Sequence, residues 1–370
     1  MALVLGRNGR RAWRLAGLSV LLVLAAGGCG QLPVGPLVPP ALTIRGPALG
    51  FPAIQLLFAP PEIGFALAVE HHPGSDTGPV DVFRTGDGGR SWSRVFQTPL
   101  TTAAPVALRR MGPSHVALVG LTGVVYVAPA GAGGPWRSVH LPGQTTGADF
   151  VSFATPTVWY VLGDVMGAMG HDSAQLYCSV DTGATWQRVE KVGGTPMTGV
   201  SFSTPALDSG WVGMSPPVPG VVTLARTGKG VPVGRVPVDR SLLRKYVLTA
   251  LPPTFFSSDE GVLPIVTGTM PPMTWLTTTR DGGAHWSVPV RLPRNVYAFT
   301  DAEHFWAAGA NGLWRSVDGG KHWMATALPQ GFAVTALDFL TVQRGWALVQ
   351  HDGRLWVIST HDGGRHWASL

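Results

Sequence analysis

Hydrophobic positions along this chain fall in short runs. Near the C-terminus "VTALDFL", "GWALVQ", "RLWVIST" and "HWASL" follow one another, rich in β-branched and aromatic residues and punctuated by Gly, Asp and Pro. Such runs predict strands, because a pleated, half-buried surface favours those side chains and the punctuating residues favour turns. The grammar recurs upstream, in "VYAFTD" with "FWAAG", "TGVSFS" with "GWVGMS", and "FVSFAT" with "VWYVLG". No stretch sustains a helical period beyond a turn or two at 239–248.

Each group of runs closes on nearly the same phrase. "RTGDGGRSW", "CSVDTGATW", "TTRDGGAHW", "RSVDGGKHW" and "STHDGGRHW" place aspartates at 87, 181, 281, 318 and 362, at steps of 94, 100, 37 and 44 residues. The first two steps are about twice the others, so each conceals a decayed copy. One is "PAGAGGPW", where Gly131 replaces the aspartate, and the other is "TGKG" at 227–230. Seven units of about 40 to 50 residues, four strands each, predict an all-β chain. The expectation is a single seven-bladed β-propeller of four-stranded antiparallel blades over residues 43–370.

The phrase has a local physical role. Its aspartate accepts backbone N–H groups two or three residues on, glycine supplies positive φ, and a preceding Ser or Thr adds a hydroxyl. The tryptophan is expected to start the outer strand and to cover the turn with apolar surface. The pattern S/T-x-D-x-G-x-x-W resembles the Asp-box, or BNR repeat, of bacterial sialidases, xyloglucan-cleaving glycoside hydrolases, sortilin-type receptors and photosystem II stability/assembly factor propellers. It is carried by Thr85/Asp87/Gly89/Trp92, Ser179/Asp181/Gly183/Trp186, Thr279/Asp281/Gly283/Trp286, Ser316/Asp318/Gly320/Trp323 and Thr360/Asp362/Gly364/Trp367. With the "F…GWA" phrase at Phe339 and Gly345-Trp346-Ala347, the chain is most similar to the assembly-factor group. The motif occurs in enzymes and non-enzymes alike, so the resemblance implies a fold before it implies a function.

The N-terminus bears on location. Arg7, Arg10, Arg11 and Arg14 precede an apolar run at 15–26, short for a membrane span and suited to a signal peptide. It ends in "AAGGC", which resembles a bacterial lipobox with Cys29 as the lipidated residue. Residues 1–28 are thus read as a lipoprotein signal and 29–42, rich in Pro and Gly, as a tether. The chain holds 27 Lys+Arg and 21 Asp+Glu. Four of the arginines lie in the signal, which leaves a nearly balanced mature chain and removes the case for nucleic acid. Cys178 then has no intramolecular partner and reads as a small packed hydrophobe.

Catalytic readings lack residues. "IRGP" at 44–47 departs from the sialidase Arg-Ile-Pro start, and the five glutamates and five tyrosines form no evident Tyr/Glu constellation. The xyloglucan-cleaving enzymes resembled here use two tandem propellers, whereas this chain has room for one. "EHHPGSD" at 70–76 offers His71, His72 and Asp76 without the fixed spacing of a metal site, so no metal and no cofactor are called for. The reading is a non-catalytic exported propeller that binds an unknown protein at the cell envelope. The alternative is a carbohydrate-active enzyme or a glycan-binding module.

A partner surface is expected on the face opposite the aspartate turns. There the turn between second and third strands is tight at 121–123, 309–312 and 351–353, and lengthens at 163–175, 215–220 and 267–273, beside a blade-connecting segment at 238–253. Recognition is commonly carried on loops over a rigid scaffold. Met166, Met169, Met270 and Met273 supply an adaptable apolar surface, with Arg240, Arg244 and Lys245 as its charged rim. The lipid reading has a direct check: Cys29→Ser should release the protein from membranes, and retention with an intact N-terminal segment by mass spectrometry would contradict it.

Overall fold

The computed structural model describes Ile44 and residues 48–69, 78–102, 106–131, 133–145, 148–168, 171–194, 197–201, 211–214, 224–226, Val236, 246–269, 272–310 and 312–370. The signal, the tether and Cys29 lie outside them. Within them the chain is an all-β propeller of antiparallel sheets, taken here in chain order. Sheet 1 holds β1 (Ala53–Ala59), β2 (Ile63–Val69), β3 (Gly78–Thr85) and β4 (Ser93–Thr102). Sheet 2 holds β5 (Ala107–Met111), β6 (His115–Leu121), β7 (Val124–Pro129) and β8 (Arg137–His140). Sheet 3 holds β9 (Val151–Phe153), β10 (Trp159–Ala168), β11 (His171–Ser179) and β12 (Gln187–Gly194). Sheet 4 holds β13 (Met197–Ser201), β14 (Trp211–Met214) and β15 (Leu224–Arg226).

Sheet 5 holds β16 (Leu248–Ala250), β18 (Gly261–Thr267), β19 (Thr274–Thr279) and β20 (Val290–Arg291), with β17 (Thr254–Phe255) also paired to β18. Sheet 6 holds β21 (Val296–Phe299), β22 (Phe305–Gly309), β23 (Gly312–Ser316) and β24 (Met324–Ala327). Sheet 7 holds β25 (Ala333–Phe339), β26 (Gly345–His351), β27 (Arg354–Thr360) and β28 (Ala368–Ser369).

The expectation of seven four-stranded blades is therefore corrected to six. Sheet 4 has three strands among the described residues. Its turn phrase, "TGKG", has neither the aspartate that closes the other turns nor the tryptophan that follows them, so the local signal for a fourth strand is missing. Two loop expectations also change. The lengthened turn at 163–175 is strand at 163–168 and 171–175: past a register shift, β10 and β11 go on pairing through Met166↔Ser173 and Ala168↔His171, and β12 follows to Gly194. The segment at 238–253 contains β16.

The core lies between sheets. Alternate residues of β2 point to opposite neighbours: Phe65 and Leu67 join a cluster with Leu108, Val116 and Leu118 of sheet 2, while Ala66 joins one with Trp346, Leu348 and Val357 of sheet 7. Both faces of second strands such as β2 and β6 are buried, so these strands read as continuous apolar runs. The cluster shared by sheets 1 and 7 closes the ring.

The "F…GWA" phrase is the joint. Phe339 pairs with Gly345 across β25 and β26, and a Cβ on Gly345 would fall 2.5 Å from the Phe339 ring. Glycine lets the ring lie flat on the backbone, where Trp306 of sheet 6 stacks on it at 3.7 Å. The same device repeats one joint along: Phe58 lies over Gly64 and stacks on Trp346 at 3.8 Å. Gly345→Ala should therefore cost about 1–3 kcal/mol, the range for overpacking. Gly268→Ala, where an added Cβ meets nothing within 4 Å, should change the melting temperature little; equal effects would refute this account of the joint.

Candidate functional site

The five aspartate phrases make one set of bonds. The Ser or Thr hydroxyl donates to Asp Oδ1 at 2.6–3.0 Å. It also accepts the N–H of the second glycine position (Gly89, Gly183, Gly283, Gly320, Gly364) at 2.8–3.0 Å. Asp Oδ1 then accepts the backbone N–H four residues on, from Ser91, Thr185, His285, His322 and His366, at 2.9–3.0 Å. Positive φ at these glycines, as at Gly320 (85°), reverses the chain without a Cβ clash.

Sequence reasoning missed one partner. The residue just before tryptophan also turns its side chain back onto Oδ2: Ser91 and Thr185 donate at 2.5 and 2.6 Å, and Nδ1 of His285, His322 and His366 lies at 2.6–2.7 Å. The signal was present, since that position is Ser, Thr or His in every copy. These bonds favour the ionised carboxylate. The Thr185 hydroxyl and N–H, with the Ser179 hydroxyl, hold Asp181 down to about 2. The His285 N–H and side chain, with the Thr279 hydroxyl, do the same for Asp281, also about 2.

The tryptophans that end the phrases correct the expectation that they start the outer strand. Trp92, Trp186, Trp323 and Trp367 each stand one residue before β4, β12, β24 and β28, and Trp286 stands four before β20. They also pack into the sheets. Trp92, Trp286 and Trp367 meet Phe58, Phe255 and Phe339 of their own sheets edge-on, at 5.9–6.2 Å between centroids. Trp186 meets Trp159 of β10 at 6.3 Å, and Trp323 packs on the cluster of Leu276, Leu292 and Phe305. Trp92 still serves its turn, donating Nε1 to Gly89 O at 2.9 Å.

The turns also join sheets along one face. Trp306 Nε1 donates to Gly363 O at 2.8 Å, and Trp346 Nε1 to Gly88 O at 3.0 Å, each from one sheet to the turn of the next. Arg84 donates to Gly131 O at 2.7 Å, so the decayed copy in sheet 2 is held by a neighbouring arginine. Arg280 pairs with Glu303 at 2.7 Å, and Arg344 pairs with Glu62 across the ring closure. Thr182, Gly282, Gly319 and Gly363 donate backbone N–H groups to the turn between the first two strands of their own sheet, at 2.9–3.0 Å. The first-strand ends therefore lie at the same face as the aspartate turns.

Much of the expected partner surface falls elsewhere. Met169, Arg240, Arg244, Lys245 and Met270 lie outside the described residues, as do His71, His72 and Asp76. Met166 is placed on β10 beyond the register shift. Met273 is half-buried against the sheet 5 cluster, and its N–H donates to the Thr267 hydroxyl at 2.9 Å, which tethers that loop. Beside the shift, Asp164 adopts φ 53° and accepts the Tyr177 hydroxyl at 2.6 Å and the Gln144 N–H at 2.9 Å. Cys178 is a free, half-buried thiol packed on the sheet 3 cluster, and burial pushes its pKa up, away from a nucleophile's thiolate.

At the hub, first strands present a backbone edge that no further strand covers. Around sheets 7, 1 and 2 side chains cover it. Gln55 bonds both Leu108 N and O at 2.8 and 3.0 Å, Asp338 accepts the Phe58 N–H at 2.7 Å, and Arg110 donates to Phe58 O at 2.6 Å while pairing with Asp338. Beside them, a cavity of about 390 Å³ opens between β5, β9, β21 and the segment 251–254. Arg109, Arg110, Ser152, Tyr297 and Phe299 are among its lining residues. Among the described residues no three His, Cys, Asp or Glu side chains group as a metal site requires.

A carboxylate whose folded pKa lies below its unfolded one stabilises the fold above the unfolded value and stops doing so as pH falls through the folded one. For Asp181 and Asp281 that window runs from 3.8 down to about 2. Asp281→Asn should lower the melting temperature at neutral pH and flatten its decline across this window. An unchanged acid profile by circular dichroism would remove the carboxylates from the stability account.

No family model matches the chain, and no curated protein sequence matches it. Solved structures do. A structure described as YCF48 bound to D1 peptide is 17% identical, covers 87% of this chain and 98% of its own, and has a TM-score of 0.53. The β-propeller domain of the Trilobed protease from Pyrococcus furiosus, described as having an open velcro topology, is 7% identical over 86% and 98%, with a TM-score of 0.54. A chain of the Mitotic Checkpoint Complex is 11% identical over 92% and 98%, at 0.52. The likeness is one of fold, and the fold is a β-propeller.

Proposed function

We propose that this protein is an exported, lipid-anchored, non-catalytic propeller that binds a partner protein at the bacterial cell envelope. The observation that carries the reading is how the carboxylates are employed. Asp87, Asp181, Asp281, Asp318 and Asp362 close turns, Asp338 covers the hub edge, and Glu62 and Glu303 pair with arginines of neighbouring sheets. A hydrolase of this fold would need carboxylates aimed at a substrate. These eight are aimed at the protein itself.

Support from likeness is modest in kind. One similar structure is described as bound to a peptide and another belongs to a multiprotein complex, so the fold is compatible with protein recognition. On this proposal the anchor is Cys29, and the partner surface is the face carrying the β10–β11 extension, with Met166, Met169, Met270 and Met273 as apolar contacts and Arg240, Arg244 and Lys245 at the rim. The extension suits the role: three paired strands raised beyond the register shift form a firmer contact element than a loop of the same length.

Two changes test it together. Replacing residues 165–173 by a short Gly-containing turn, and separately changing Arg240 and Arg244 to Glu, should each weaken capture of the envelope partner while leaving the melting temperature in place. Capture should stay intact when the tight turn at 351–353 is altered. The reverse pattern would place the partner surface elsewhere.

A further inference from the structure

Arg109 and Arg110 stand side by side in β5 and both line the hub cavity. Among the described residues that line it there is no Asp, Glu or His. Its charged lining is therefore two guanidinium groups, that of Arg110 paired with Asp338, and guanidinium groups present planar, forked donors matched to a carboxylate. Arg110 is held in place through Nε and one Nη by Phe58 O and Asp338, so its position is fixed before any ligand arrives.

The other wall is ring-faced. Tyr297 and Phe299 lie on β21, with planes 16° apart and centroids 6.1 Å apart, and all four residues of that strand are half-buried although it is the innermost of its sheet. Pro252, Pro253 and Phe153 complete the apolar lining, and Ser152 and Thr254 add hydroxyls. A volume of about 390 Å³ falls within the roughly 300–1,000 Å³ of small-molecule sites.

We propose that this cavity binds an acidic sugar, a uronic-acid unit whose carboxylate meets Arg109 and Arg110 and whose pyranose face lies against the Tyr297 and Phe299 rings. A peptide strand is disfavoured, because adding one needs an open backbone edge. Beside the arginines that edge is taken: Phe58 N and O and Leu108 N and O already have side-chain partners. The proposal is of binding alone, because among the described lining residues no carboxylate supplies the acid–base pair that glycosidic hydrolysis uses. The inference is independent of the protein-partner reading, which concerns the opposite face.

The test titrates purified full-length protein with a digalacturonate, its methyl ester, the matching neutral disaccharide, and a capped tripeptide with a free C-terminal carboxylate, followed by calorimetry and ligand-observed NMR. Saturable digalacturonate binding is expected, tenfold or more tighter than the ester or the neutral sugar, since one charge-assisted hydrogen bond is worth about that factor. Arg109→Gln should reduce it by a similar factor and Tyr297→Ala should weaken it, with the melting temperature checked for each. Arg110 is left alone because it ties Asp338. Equal binding of ester and acid by the unaltered protein, tripeptide binding without sugar binding, or a folded Arg109→Gln protein that binds as before would overturn the proposal.

Discussion

At the joints between sheets 6, 7 and 1, the ring depends on a tryptophan passed from one sheet to the next. Trp346 leaves sheet 7, stacks on Phe58 of sheet 1 at 3.8 Å and donates Nε1 to Gly88 O at 3.0 Å. Trp306 does the same from sheet 6 to sheet 7, on Phe339 and Gly363. The side chain buries a large apolar area and satisfies its one polar group in a single geometry, so it sets both the spacing and the register of neighbouring sheets. It works only if the receiving phenylalanine lies flat, which requires glycine beneath it, and only if the turn beyond presents its carbonyl, which requires the aspartate closure. Trp92 and Trp367, each edge-on to the same phenylalanine from within its own sheet, hold that ring in place.

Those dependencies explain why the turns are so uniform. Each is an electrostatic unit in which a carboxylate is saturated by a hydroxyl, a backbone N–H and the side chain before tryptophan. Because its partners lie two and four residues away, the turn forms from local sequence and can be copied from sheet to sheet. Where the copy decays, in sheet 2, Arg84 of the adjacent sheet takes over at Gly131. In sheet 4 the phrase is reduced to "TGKG", and the sheet keeps three strands among the described residues.

The hub inherits what the joints leave over. A sheet whose first strand faces the axis exposes backbone groups that must be satisfied. Gln55, Arg110 and Asp338 do this for sheets 7, 1 and 2, and in doing so bring the two adjacent arginines of β5 to one side of a cavity whose far wall is aromatic. A site of this composition is a consequence of closing the ring, and its charge follows from which side chain was recruited to cover which edge.

The sequence by itself determined what is local. The strand runs, the five turns and the roughly twofold steps between their aspartates were all legible, because each turn's bonds join residues two to four positions apart and each pleat repeats every second residue. The "F…GWA" phrase was visible too, though its purpose was not, since Trp346 meets Gly88 across 258 positions. The phrase tryptophans were legible as positions but not as contacts, since the ring that Trp367 meets, Phe339, lies on another strand of the sheet. Tertiary structure decided the rest. Among the described residues it left six sheets rather than seven with a full four-stranded path, and it turned the supposed loop into paired strand at 163–168 and 171–175, because pairing depends on an available neighbour more than on the glycines in between. It also assembled the hub, where Gln55 and Leu108 are 53 positions apart, Arg110 and Asp338 are 228, and Phe58 and Asp338 are 280. No pattern of nearby residues encodes such a meeting; the closure of the ring brings those groups together.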